Sequence, residues 1–182
     1  MFFIVISKLA YAESATWEKL QLDASASIDF PGKVTKQEAA GQDVYSLKEG
    51  KTIYMVLISK NGFRQDASAE ELSKFYDGVV KGTLEAAGNG ESLQQQAFTV
   101  AGFKGIEVQF TSPAKPQLPA TKFMRALSVN GTMYTLNYWT NAEQNEESKA
   151  DRNRFFASFQ LRNVKNTAVT ERSSAPDNAR ES

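Results

Sequence analysis

Arg125 is the residue whose type and position most directly suggest chemistry in this chain. It lies in the alternating run FMRALSV, where its neighbours two residues away, Phe123 and Leu127, are apolar. Alternate residues of a β-strand share one face, so Arg125 is expected on an apolar sheet face. Its planar guanidinium suits carboxylate and phosphate groups, which makes it a candidate ligand contact. The alternative, which we favour, is that it extends to the sheet edge or pairs with a helix carboxylate.

Tyr138 and Trp139 are the other candidate contacts, and they end the next alternating run, MYTLNYW. Aromatic side chains that carry a polar atom suit the rim of a ligand pocket or a protein interface. The alternative is that both residues simply complete a hydrophobic core, which is the more common role. Arg125, Tyr138 and Trp139 are therefore the candidate residues for contact with a ligand or partner.

Residues 112–115, Ser-Pro-Ala-Lys, match the S-x-x-K motif of penicillin-binding enzymes. The serine of that motif opens a helix, whereas Pro113 and Pro116 predict a loop, and no K-T-G sequence follows. Carboxylate pairs could support glycoside hydrolysis. The pairs at 70–71 and 146–147, however, fall on predicted helix faces. Acidic residues in the first turn of a helix interact favourably with the helix dipole, which explains them without catalysis. A hydrolase that uses carboxylates or a Ser/Lys pair stays an alternative, with no catalytic residue assigned.

The composition excludes several classes of site. The chain has 182 residues with no His and no Cys, which removes Ser-His-Asp and Cys-His catalysis, disulfides and nearly all zinc enzymes. The 21 basic and 21 acidic residues give a net charge of zero, so no nucleic-acid partner is indicated. No glycine-rich phosphate-binding motif is present. We therefore predict no cofactor, no metal site and no cofactor-binding residue.

The elements that must position the candidate residues are predicted to be mainly strands. Apolar and polar residues alternate at 24–30 and at 106–110, which predicts two half-buried strands. A short strand is predicted at 44–47, and the apolar run at 53–58 predicts a strand covered on both faces. Three prolines within 113–119 predict an exposed, extended loop.

The strongest local signal is Asn130-Gly131 between two alternating runs. This pair favours a two-residue type I′ turn, so the flanking runs form a β-hairpin. The turn sets the register and places four pairs of residues on one face. The predicted pairs are Val129 with Thr132, Leu127 with Tyr134, Arg125 with Leu136, and Phe123 with Tyr138.

Two helices are predicted on either side of this strand-rich region. Ser68 and Glu71 form a capping box, and apolar residues follow at helical spacing up to Leu84. Gly78 and Gly82 lie within this helix, where each glycine costs about 1 kcal/mol relative to Ala, so we expect a close packing contact there. The second helix runs through 143–159 and is expected to dock by phenylalanines near its C-terminal end.

The two ends of the chain are predicted to lie outside the domain. Residues 10–12, Ala-Tyr-Ala, match the small-x-small rule for signal peptidase, with cleavage after Ala12. The apolar run 2–6 is short, so we interpret 1–12 as a truncated signal peptide rather than a buried strand. A transmembrane span would need about 20 apolar residues and is excluded. A single domain is predicted for 13–162 and a disordered polar tail for 163–182.

Two stretches, SIDFPGKV and RFFASFQL, together with the order of strands and helices, resemble the PsbP-like group of small exported α/β proteins. The resemblance covers the layout of residues 17–161. It implies an α+β fold in which helices pack on a central antiparallel β-sheet, as in the PsbP-like α/β sandwich. It also implies a non-catalytic accessory role, whereas the histidine metal sites of photosynthetic members have no counterpart here.

The sequence therefore predicts an exported accessory or binding protein, periplasmic or secreted, with a protein partner in the cell envelope. The first alternative is the carboxylate- or Ser/Lys-dependent hydrolase. The second alternative is a docking component of an envelope assembly, which would use the exposed proline loop and the polar tail.

Overall fold

A computed structural model describes residues 16–64 and 67–166. The predicted signal peptide at 1–12 lies outside the described residues, as does the predicted tail from 167 onward. The first tail residues are described and lie against the domain. Val164 packs against the hydrophobic core, and the Asn166 side chain donates to the Gly102 carbonyl at 2.8 Å.

The described residues form ten strands and two helices. The strands are β1 (Glu18–Gln21), β2 (Ala26–Phe30), β3 (Thr35–Ala39), β4 (Gln42–Glu49), β5 (Thr52–Ser59), β6 (Glu91–Val100), β7 (Phe103–Thr111), β8 (Thr121–Val129), β9 (Thr132–Thr140) and β10 (Gln160–Leu161). The helices are α1 (Ala69–Ala86) and α2 (Glu146–Ala157). No helix in these ranges combines the length and apolar character needed to cross a membrane.

The strands make two sheets. The larger has seven strands in the order β3-β4-β5-β9-β8-β7-β6, and the smaller has three in the order β1-β2-β10. Neighbouring strands are antiparallel in both sheets. The predicted α+β class, with helices packed on a central antiparallel sheet, is confirmed.

The β8–β9 hairpin has the predicted turn and register. Asn130 and Gly131 have φ values of 50° and 80°, as a type I′ turn requires. All four predicted cross-strand pairs are present. The hairpin lies between β5 and β7 in the larger sheet, so its register determines which side chains face each helix.

One face of the larger sheet packs against α2 and the smaller sheet. The rings of Phe30 and Tyr54 each pack edge to face against Phe155, and Tyr54 packs in the same way against Tyr138. The ring centroids are 5.3 Å apart in all three pairs. Phe155 is fully buried, and Phe156 and Phe159 are nearly so. The prediction that the second helix docks by its C-terminal phenylalanines is therefore confirmed.

Helix α1 packs on the opposite face. Its capping box is present, because the Ser68 hydroxyl accepts from the Glu71 N–H at 3.2 Å and the Glu71 carboxylate accepts from the Ser68 N–H at 2.8 Å. Tyr76 anchors the helix by donating to the Lys104 carbonyl at 2.8 Å and accepting from the Ser128 N–H at 2.9 Å. The apolar side of α1 contacts β7 and β8.

Two expectations about the elements are wrong, and strand β3 is missing from the predicted elements. The run at 53–58 is not covered on both faces, because Ile53, Met55 and Leu57 are only half-buried on the α1 face. Strand β3 was not predicted, since its residues TKQEA are all exposed and carry no alternating pattern. Gly78 and Gly82 have no close packing contact, because a Cβ at either position would meet nothing within 4 Å.

We therefore expect Gly78→Ala and Gly82→Ala each to raise the free energy of unfolding, by about 0.5–1 kcal/mol. Alanine reduces the entropy of the unfolded chain and fits the open space beside α1. Urea denaturation followed by circular dichroism would measure the change.

Gly105→Ala is the matched contrast, because its Cβ would lie 2.5 Å from the Phe98 ring and 2.6 Å from the Ala126 carbonyl oxygen. That variant should be less stable than the wild type. A destabilised Gly78→Ala variant would contradict the finding that the space beside Gly78 is open.

Candidate binding site

A cavity of about 240 Å³ lies between the C-terminal end of α1, the 112–120 loop and the face formed by β5, β9 and β8. We call it the α1 groove. Its walls are mostly apolar and include Met55, Leu57, Phe110, Leu118 and Met124. The groove exists because α1 covers β7 and β8 and leaves the neighbouring half of the same face open.

Lys122 is the most unusual residue of the groove. It is 1% exposed, and its ammonium donates to the Ser112 hydroxyl and the Pro119 carbonyl. The ammonium also lies 5.6 Å from the centroid of the Trp139 ring. Burial, with a smaller contribution from the charge of Lys115, lowers the pKa of Lys122 below its ordinary value.

The partners of Lys122 are all neutral. Fully buried lysines are rare unless they are paired with a carboxylate, because an unpaired charge is costly to remove from water. No Asp or Glu is among the described residues that line the groove. The groove therefore holds a buried positive charge that the described part of the domain does not neutralise.

The same groove contains further hydrogen-bonding capacity. An ammonium has three N–H donors, and the two described acceptors of Lys122 use two of them. The indole N–H of Trp139 is shielded from solvent and has no hydrogen-bond partner among the described residues. Asn137, 4% exposed, also lines the groove. The arrangement can therefore hold an acceptor or an anion against apolar walls.

Arg125 lies on the opposite face of the sheet, away from the groove. Its Nε is 2.5 Å from a carboxylate oxygen of Glu107, which is directly opposite on β7. The guanidinium packs against the rings of Phe98 and Phe156, 5.0 and 4.7 Å from their centroids. Arg125 is thus a paired residue of the α2 face, and its partner comes from a strand rather than from the helix we expected.

Tyr138 and Trp139 have different surroundings because adjacent strand residues point to opposite faces. Tyr138 is 1% exposed and donates to the Ser148 carbonyl at 3.1 Å, so it completes the α2-face core and cannot rim a pocket. Trp139 lines the α1 groove beside Lys122. Of the three predicted contact residues, only Trp139 lies at the cavity.

The S-x-x-K motif does not pair the Ser112 hydroxyl with the Lys115 ammonium. The ammonium of Lys115 donates to the Ala86 carbonyl at the end of α1, at 2.5 Å. Ser112 instead accepts from Lys122, a residue that the sequence analysis did not single out. The available signal was that Lys122 alternates with Met124 and Ala126, which indicates a second covered face of β8.

Acidic clusters offer no alternative site. Within 16–64 and 67–166, no group of three or more Asp and Glu residues could hold a metal ion. Glu70 pairs with Lys74 and Glu146 with Lys149 on exposed helix surfaces, at 2.7 and 2.9 Å. These carboxylates therefore belong to the solvated helix faces that the sequence predicts.

The large antiparallel sheet, with a helix on either face and a small second sheet, defines an α+β protein of PsbP-like fold, as the resemblance implies. The chain is similar to the solution structure of cyanobacterial PsbP (CyanoP) from Synechocystis sp. PCC 6803, with a TM-score of 0.60 and 13% identity over 86% of this chain and 99% of that one. It is also similar to the Ran-binding protein Mog1p of Saccharomyces cerevisiae, with a TM-score of 0.51 and 13% identity over 81% and 96%.

These likenesses establish the fold alone, because fold is retained at identities where function is not. No protein-family model matches the sequence, and no curated protein matches it. The assignment of a function must therefore rest on the geometry of the site.

The Arg125–Glu107 pair should contribute to stability and not to binding. We expect Arg125→Met to lower the free energy of unfolding by roughly 2 kcal/mol, because it leaves a largely buried carboxylate without its cation. The expected loss is smaller than for a fully buried pair, since both side chains keep some exposure. Urea denaturation would measure it.

Lys74→Met is the matched control, because its ion pair with Glu70 is exposed and should contribute less than about 1 kcal/mol. The double variant Arg125→Met, Glu107→Met should recover part of the lost stability. An Arg125→Met protein as stable as the wild type would contradict a structural role and return Arg125 to the candidate ligand contacts.

Proposed function

We propose that the chain is a non-catalytic binding protein and that the α1 groove is its binding site. The observation that carries this proposal is an apolar cavity with a buried, unneutralised Lys122 in its wall. Apolar pockets with a few converging polar groups are the usual form of ligand sites. At about 240 Å³ the cavity is below the roughly 300–1,000 Å³ of drug-sized pockets, so the occupant is small.

The structural neighbours support a binding role only by analogy. Mog1p is described as a Ran-binding protein, and it shares the fold of this chain. A fold does not determine what is bound, so neither Ran nor any other partner is transferred here. The analogy is consistent with an accessory protein that acts by binding.

The contact between Ser112 and Lys122 favours a second candidate, a Ser/Lys-dependent hydrolase. A lysine with a lowered pKa can serve as a general base for a serine. Ser112 is itself 5% exposed, however, and is not among the described residues that line the groove. A carbonyl group bound in the groove would meet Lys122 before the serine hydroxyl, which is why we favour binding over hydrolysis.

The site of action that we propose is the cell envelope, and this part of the proposal rests on sequence. Ala10, Tyr11 and Ala12 match the cleavage rule for signal peptidase, and polar residues follow. The protein partner that we expect there would use exposed surface such as the 112–120 loop, whose Leu118 lies at the groove.

Binding in the groove can be tested with N-phenyl-1-naphthylamine, an uncharged apolar dye that fluoresces when bound. We expect the wild-type chain to bind it and Thr135→Phe to weaken binding by about tenfold or more, because the larger side chain fills the cavity. Thr99→Phe makes the same change on the exposed strand β6 and should bind like the wild type.

The same preparations separate binding from hydrolysis. Equal dye binding by the wild type and Thr135→Phe would contradict the groove as the site. Turnover of p-nitrophenyl octanoate that is lost in Ser112→Ala would overturn the non-catalytic assignment in favour of the hydrolase.

Export can be tested by mass spectrometry of the N-terminus. We expect the protein expressed in its own host, with its upstream region, to begin at Glu13 in the extracytoplasmic fraction. Ala12→Leu should block this cleavage, because signal peptidase requires a small residue there. A cytoplasmic protein that retains 2–12 would contradict export and leave the groove proposal unaffected.

A further inference from the structure

The charges that line the α1 groove indicate the chemistry of its ligand. We propose that the groove binds a small aliphatic carboxylate, with the carboxylate group paired to Lys122 and the hydrocarbon chain along the apolar walls. This inference rests on the proposed function, because it assigns a ligand class to the same site.

The charge of the groove favours an anionic ligand. The groove is lined by two lysines and by no acidic residue among those described. Lys115 already donates to the Ala86 carbonyl and so stabilises the C-terminal end of α1. Among the described residues, Lys122 donates to the neutral oxygens of Ser112 and Pro119, and the neighbouring charge of Lys115 has the same sign. An anionic ligand would supply the missing counter-charge.

The hydrogen-bond donors near the groove also favour a carboxylate. A carboxylate accepts at several lone-pair positions on its two oxygens. The third N–H of the Lys122 ammonium is one available donor. The Trp139 indole, whose ring lies beside that ammonium, carries a second N–H that has no described partner. A bond from the cationic Lys122 ammonium to a carboxylate oxygen is charge-assisted, which favours a carboxylate over a neutral acceptor.

The walls of the groove favour a hydrocarbon chain for the rest of the ligand. The walls near Lys122 are apolar, and Met55 and Met124 are flexible side chains that adapt to the shape of a bound chain. These walls suit an aliphatic chain such as that of octanoate.

The test compares three probes that share one chain length and differ in charge. Octanoate, 1-octanol and octylamine are titrated at neutral pH against wild-type protein carrying N-phenyl-1-naphthylamine, and displacement of the dye is measured. We expect octanoate to displace the dye at about tenfold lower concentration than octanol, because the carboxylate gains a charge-assisted bond. Octylamine should be the weakest of the three, because its ammonium meets a like charge.

The variants locate the effect at one residue. Lys122→Met should abolish the preference for octanoate over octanol while octanol still binds. Lys74→Met removes the same charge from an exposed part of α1 and should keep the preference. Should Lys122→Met fail to fold, the order of the three probes on the wild type decides the question alone.

Two results would overturn the inference. Octanol that equals octanoate on the wild type would show that the groove does not select an anion. A preference that survives in Lys122→Met would show that another group provides it. In both cases dye binding that is blocked by Thr135→Phe would leave the proposed function standing, whereas loss of all binding to the groove would remove both proposals.

Discussion

The pairing of β8 with β9 is the constraint on which the rest of the structure depends. The positive φ values of Asn130 and Gly131 make a tight type I′ turn, and this turn leaves one register for the two central strands. A slip of one residue would move every side chain of β8 to the other face. In the observed register Phe123, Arg125 and Leu127 face α2, and Lys122, Met124 and Ala126 face α1.

The central strands carry apolar residues on both faces, so other elements must shield both faces from water. One face is covered by α2 together with a second sheet, and its core is closed. Of the elements in the described ranges, α1 alone packs on the other face. A helix is roughly 10–12 Å wide and strands are about 4.8 Å apart, so one helix covers about two strands. The half-buried row of Ile53, Met55 and Leu57 is the consequence, and the groove lies beside it.

Lys122 and Arg125 are two cations on one strand that differ in whether the fold supplies a counter-charge. Arg125 has a carboxylate 2.5 Å away and two aromatic rings against its guanidinium, so the fold itself neutralises its charge. Lys122 is the more deeply buried of the two, and its acceptors within the described part of the chain are neutral. A buried charge without a counter-charge, such as that of Lys122, is typical of a functional site, where the charge is neutralised by a bound ligand rather than by the fold.

The sequence by itself determined the features that depend on local interactions: the Asn-Gly hairpin with its register, the capping box at Ser68 and Glu71, and the docking of the second helix by its phenylalanines. Each rests on residues close together in the chain. It did not reveal that Lys122 is buried, that Ser112 contacts Lys122, or that a groove lies beside α1. Those facts depend on how much of each sheet face is covered by elements distant in sequence, and only the tertiary structure decides that.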